Sequence, residues 1–306
     1  MNAIETDPFD LDYSEGAPVL IAASSDAALA RAVRTVEAGG ARVGGTLQIE
    51  TARERIEQQV SAKAVWLELD RDCGAPMDEL LDSIGKDVAD GRYAAVVSGL
   101  GELIDPLTAR LGDSAVELIV DASEAQRVAA LAIATASAGM NFRLSDIASD
   151  QNAARLRQLS DEVSRIAATL ARLSSGPAAV PPIAEAAPAA DVPDISADTV
   201  RAVIRARRLR ARYFAEDLFA DPAWDMLLDL LQAEIAHLRV PVSSLCIAAA
   251  VPATTALRWL KTMVSQGLFV RRADPHDGRR VFVELAPDAS RALRRYFAEV
   301  GKPAVV

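Results

Sequence analysis

"VPATTALRWLKTMVSQGLFVRRADPHDGRRVFVELAP", residues 251 to 287, changes its hydrophobic period part-way along. Up to Gln266 the residues Ala256, Trp259, Leu260 and Met263 recur at i, i+3, i+4 and i+7, one face of a helix turned to the core. That spacing predicts a helix from Ala253 to about Gln266, stopped at Gly267. Ala253, Thr254, Thr255, Arg258, Lys261 and Thr262 are left largely outward, with Leu257 and Val264 as flanking packing contacts. Beyond Gly267, "LFVRRA" and "RRVFVEL" are β-rich and flank "DPHDG", whose Pro, Asp and Gly favour a turn. A β-hairpin is therefore expected, carrying Arg271, Arg272, His276, Arg279 and Arg280. Upstream, Ser243 or Ser244 can cap a short helix through Ala249, and Val251-Pro252 makes the turn into the second helix.

Two helices across a tight turn, followed directly by a basic hairpin, make an α+β winged helix-turn-helix. Small and short polar side chains at the start of the second helix, then Arg and Lys, suit a helix lying in the DNA major groove. On that reading Thr254, Thr255 and Arg258 face base edges, with Ala253 outward beside them in the DNA-binding set, and Lys261, Arg271, Arg272 and Arg280 meet phosphates. The stretch "GLFVRRADPHDGRRVFVELAPDA" closely resembles the wing of MarR-type regulators, and the likeness runs over roughly residues 221 to 297. Asp277 and Arg279 match that family's Asp-x-Arg pair. The resemblance implies that Arg279 reaches into the minor groove and that Asp277 holds the wing in shape, with His276 a turn residue or phosphate contact at the tip. Ordinary members are single-domain dimers whose terminal helices enclose a ligand pocket. This chain has other candidates for both tasks, so no such pocket is carried over.

Before the helix-turn-helix, residues 198 to 220 read as one arginine-dense helix. Asp221 looks like an N-cap, with Pro222 at the first helical position of the next helix and Trp224, Leu227, Leu228 and Leu231 on its inner face.

The whole chain, 306 residues, has net charge −10, but residues 198 to 306 hold 17 Lys and Arg against 12 Asp and Glu, making them +5 and leaving −15 for the rest. Such polarity between halves points to nucleic acid on the basic side. No apolar run reaches the ~18 residues of a membrane helix, and "MNAIETDPFDLDYSEGAP" lacks the order of a signal peptide, so a cytoplasmic protein with a short disordered leader (1–16) is expected. Two cysteines without a CxxC pattern, Cys73 and Cys246, argue against disulfide or zinc frameworks. With two histidines, His237 and His276, a catalytic triad or a histidine metal cage has little to draw on. No enzyme, catalytic residue, metal or cofactor is expected.

In the N-terminal half apolar runs at 18–23, 41–49, 64–69, 93–98 and 115–120 alternate with helical patterns, which indicates a parallel sheet covered on both faces. Residues 17–138 thus resemble the flavodoxin-like receiver domain of response regulators. The site marks of that family are degenerate here. The first strand ends in Ala23, Ser24 and Ser25, with Asp26 a little beyond in place of an acidic pair. Glu68 falls where the acceptor aspartate belongs, unless the register is off by two and Asp70 is the acceptor. Ser98 fits the hydroxyl position, and Asp121 stands near the place of the lysine. A pseudo-receiver not switched by phosphoryl transfer follows, with Glu68 either a fixed negative charge or, like Asp121, a solvated strand-end residue.

Leu156, Leu159, Val163, Ile166, Leu170 and Leu173 recur at alternating steps of three and four, a heptad seam that favours a parallel dimerising coiled coil over residues 139–173 against a single helix packed on its own domain. "SSGPAAVPPIAEAAPAADVPDISA", 174–197, is a Pro/Ala linker to the winged helix of 198–306. The sequence reads as a multidomain, homodimeric, cytoplasmic transcription regulator binding double-stranded DNA. The rival reading is a signalling scaffold using the pseudo-receiver and the winged helix for protein contacts.

Overall fold

β1 (Val19–Ala23) and β3 (Ala64–Glu68) are buried along their whole length, the condition of strands covered on both faces, and this makes them read as apolar runs, interrupted only by Glu68 at the end of β3. The computed structural model describes residues 18–58, 62, 64–112, 114–143 and 194–300. The expected leader, the seam from Leu156 to Leu173 and the linker up to residue 193 lie outside the described residues. Two compact units divide the chain: residues 1–99 with 114–144, and residues 100–113 with 145–306.

In the first unit β1 and β3 are joined by β2 (Val43–Gln48), β4 (Ala94–Gly99) and β5 (Glu117–Val120) in a parallel sheet ordered β2-β1-β3-β4-β5. The edge strand β2 alternates between half-buried and exposed residues. On one face α1 (Asp26–Ala38) and α5 (Glu124–Arg143) supply Ala32, Val36, Ala130 and Leu131 to a core with Val19, Ile21, Trp66, Val96 and Ile119. α2 (Ile49–Gln58) and α3 (Ala75–Ala89) pack together on strands of the same sheet. This is an α/β domain of the general flavodoxin-like kind. Ser25 caps α1, its Oγ accepting from the Ala28 amide at 3.0 Å.

The second unit contains α4 (Ile104–Leu111), α6 (Ala197–Leu209), α7 (Pro222–Ile235), α8 (Val242–Ala248), α9 (Ala253–Ser265) and α10 (Pro287–Val300). Its sheet is antiparallel, ordered β6-β8-β7, from β6 (Val240–Pro241), β7 (Phe269–Ala273) and β8 (Val281–Leu285). The arginine-dense helix is shorter than expected. It ends at Leu209, and the chain continues in two 3₁₀ turns, 210–212 and 216–219. Tyr213 and Phe214 are poor helix formers, and their amides both turn back to the Arg210 carbonyl at 3.0 Å. Asp221 caps α7 as expected, accepting from the Trp224 amide at 3.2 Å, and Trp224 packs against Tyr296 and Phe297 of α10. Arg207 and Asp225 tie α6 to α7 through bonds of 2.6 and 3.2 Å. The cap expected at Ser243 or Ser244 is absent: α8 starts one residue earlier, behind Pro241. Ser243 instead donates its amide and hydroxyl to Asp105 of α4, at 3.0 and 2.6 Å. Among the described residues no single helix is long and apolar enough to cross a membrane.

Candidate nucleic-acid interface

α8 and α9 meet across Ala249–Pro252, where Ala250 adopts a positive φ of 53°. α9 buries Ala256, Leu257, Leu260 and Met263 and packs against α7. The helix ends because Gly267 takes a φ of 69°, letting its amide reach Val264 O and that of Leu268 reach Met263 O, both at 2.9 Å. Arg258 and Lys261 are exposed, and Ala253, Thr255 and Thr262 are half-buried.

The expected outward set needs correction at its start. Thr254 is buried, because it lies in the first turn where α8 and α9 pack together at their joint. Leu257 also belongs to the core, whereas Trp259, expected inside, is only half-buried. The buried stripe is therefore rotated away from Trp259 toward Thr254 and Leu257.

β7 and β8 pair from Phe269 opposite Leu285 to Ala273 opposite Val281, with Phe269, Val281, Val283 and Leu285 inside. Arg272 is exposed and meets Glu284 at 3.3 Å, while Arg271 is half-buried. Asp277 organises the connecting loop: Oδ1 accepts the Arg279 amide at 3.0 Å, and Oδ2 lies 3.3 Å from Arg280 Nε. Asp274 adds a bond from the His276 amide at 2.9 Å. His276 and Arg280 are exposed and Arg279 is half-buried. Arg239, which the sequence reading did not single out, lies 5.3 Å over the Phe282 ring, and Phe282 pairs with Arg272. Its position before a two-residue strand gave no local signal. The loop thus presents cations on a backbone fixed by two aspartates.

No protein-family model, curated protein or solved structure matches the chain.

The strand ends of the α/β unit hold a second polar cluster, at the point where the strand order reverses between β1 and β3. Glu68 is not a solvated strand-end residue; its charge is buried and paired. It is 1% exposed and receives Arg127 Nη1 at 2.6 Å, Arg31 Nε at 3.3 Å and Trp66 Nε1 at 3.0 Å. Asp70, two residues on, accepts from Ser25 Oγ at 2.5 Å and Ser24 Oγ at 2.8 Å, with Arg31 at 3.4 Å. Burial acts to raise the Asp70 carboxyl, but the hydrogen bonds from Ser25, Ser24 and Arg31 outweigh it and hold the group below its ordinary value. Asp26 is exposed and meets Gln48, Asp121 is exposed, and Ser98 is buried with no hydrogen-bond partner for its hydroxyl among the described residues. Arg31 and Arg127 escaped the sequence reading because each reaches in from a distant helix.

This set is a poor host for a hard divalent cation. Serines stand after β1, and both carboxylates after the switch point are already engaged by hydroxyls or guanidinium groups.

Proposed function

We propose that this chain is a sequence-specific, dimeric DNA-binding transcription regulator, with a MarR-like winged helix-turn-helix joined to a receiver-like domain that is not switched by aspartyl phosphorylation. The observation that carries the reading is the succession of α8, a tight turn and α9, with Arg258 and Lys261 exposed, then a hairpin whose loop Asp277 braces beneath Arg279 and Arg280. α9 enters the major groove, where Thr255 and Arg258 meet base edges, and Thr254, being buried, takes no part. Lys261, Arg271, Arg272 and Arg280 serve phosphates, and Arg279 the minor groove. Dimerisation through the heptad seam sets two such domains on half-sites about one helical turn apart.

The strand-end cluster supports the second half of the proposal. A carboxylate at Asp70 held by two hydroxyls and an arginine, whose acidic neighbour Glu68 is itself engaged by Arg127, Arg31 and Trp66, is poorly set up to hold magnesium for phosphoryl transfer.

Gel shifts with a salt series test the roles. Arg258→Ala costs ~1–3 kcal/mol and relaxes specificity, whereas Lys261→Ala weakens all sequences alike and lowers the salt slope by about one. Unchanged binding in the Arg258→Ala/Arg279→Ala double variant refutes the assignment.

A further inference from the structure

Phe214 is 56% exposed and Ile247 79%, and both border one cavity of the second unit, Ile247 in its lining and Phe214 through the Phe219 ring 5.5 Å away. Single exposed apolar residues are ordinary, but a group of them beside concave surface marks an interaction site. That cavity, of about 290 Å³, is lined by Ala211, Ala215, Phe219, Ile247 and Arg208 among others. Arg208 also borders a second, more open groove of about 500 Å³, lined by Ile204, Leu209 and Gln232. The two depressions adjoin at Arg208, making one strip along α6.

Its cations are of two kinds. Arg207 is committed to Asp225 and Arg201 to Asp198. Arg205 and Arg212, at the edge of the second groove, are exposed and make no ion pair among the described residues. Arg210 lies 5.4 Å over the Phe219 ring, which sets its charge at the rim of the first cavity.

We propose that this strip is a docking surface for an acidic amphipathic protein segment, one presenting Asp or Glu beside Leu or Phe. Each part of the surface asks for a different part of that occupant. The grooves take aliphatic or aromatic side chains, and the unpaired guanidiniums take carboxylates. A second copy bound face to face about a two-fold axis would set one row of arginines against the other. A phosphate backbone would satisfy the arginines but leave Phe214 and Ile247 without an apolar partner. The surface is distinct from α9 and the β7–β8 loop, so the proposal does not rest on the DNA reading.

The experiment measures binding of the full chain to a fluorescein-labelled acidic amphipathic peptide, with Leu and Phe on one helical face and Asp and Glu on the other. Two control peptides carry Lys in place of the acids, or Ser in place of the apolar residues. The acidic peptide binds and both controls bind weakly. Arg205→Glu/Arg212→Glu weakens binding by about tenfold or more, and so does Phe214→Ser/Ile247→Ser, while Arg258→Ala/Lys261→Ala leaves it unchanged. All the altered residues are exposed apart from the ring contacts of Phe214, so circular dichroism checks that the fold is kept. The proposal is overturned if the acidic peptide fails to bind, if the Ser peptide binds equally, or if the charge reversal has no effect. Displacement by nucleic acid would reassign the strip to phosphate binding, and self-association abolished by Phe214→Ser would reassign it to a second copy.

Discussion

Replacing Arg127 with Met leaves the buried carboxylate of Glu68 without its shortest ion pair. Glu68 is 1% exposed and the Arg127 side chain 13%, so water does little to screen the loss. Removing one partner of a buried pair typically costs ~3–5 kcal/mol, because the other charge stays desolvated. Here Arg31 at 3.3 Å and the Trp66 indole at 3.0 Å remain, which puts the expected loss near the lower end, about 3 kcal/mol. Glu68→Gln in the same chain removes the stranded charge, so the double variant is more stable than Arg127→Met alone. Trp66 is the one tryptophan of the α/β unit, the other two being Trp224 and Trp259. Urea unfolding followed by Trp66 fluorescence in a Trp224→Phe/Trp259→Phe background therefore reads this unit alone. A loss below about 1 kcal/mol for Arg127→Met, or no recovery with Glu68→Gln, refutes the claim that Glu68 is an internally compensated charge.

Two further outcomes follow from titrating groups. Burial raises the Cys246 thiol to about 12, with Asp105 adding to the shift and Arg271 opposing it, so iodoacetamide at neutral pH labels the half-buried Cys73 and reaches Cys246 only in denaturant. Burial also raises the Asp229 carboxyl, only partly offset by Arg208. A carboxyl raised in the folded state binds its proton more readily there, so its cost to stability is absent below the unfolded value and complete above the folded one. Asp229→Asn accordingly stabilises the second unit at pH 7, and the gain disappears as the pH falls below the ordinary aspartate range; a gain unchanged by acid contradicts the cause.

The five parallel strands were legible because burial on both faces, or one face at the edge, writes itself into short apolar runs. α9, the hairpin and the Asp221 cap were legible for a similar reason, since periodicity, Gly267 and cap chemistry are local signals. β6 was not, because two residues form no pattern and their pairing with Val283 and Phe282 spans some forty residues. The buried state of Glu68 could have been found. It stands two residues after Trp66 on β3, a strand covered on both faces, and so shares the covered face of that ring, where a carboxylate needs cations. Which cations could not be read, because Arg31 and Arg127 come from helices whose register depends on the finished packing. Thr254 shows the remaining limit: helical spacing ranks faces, but the joint between two helices decides which residue of the first turn is covered.

Selection of bound sequences from random double-stranded DNA by the full-length protein, with affinity then followed against salt, tests the DNA-binding reading most directly. The account predicts a motif of two inverted half-sites about one helical turn apart and a steep fall of affinity with salt. A folded protein that enriches no sequence, or holds DNA without salt dependence, contradicts it.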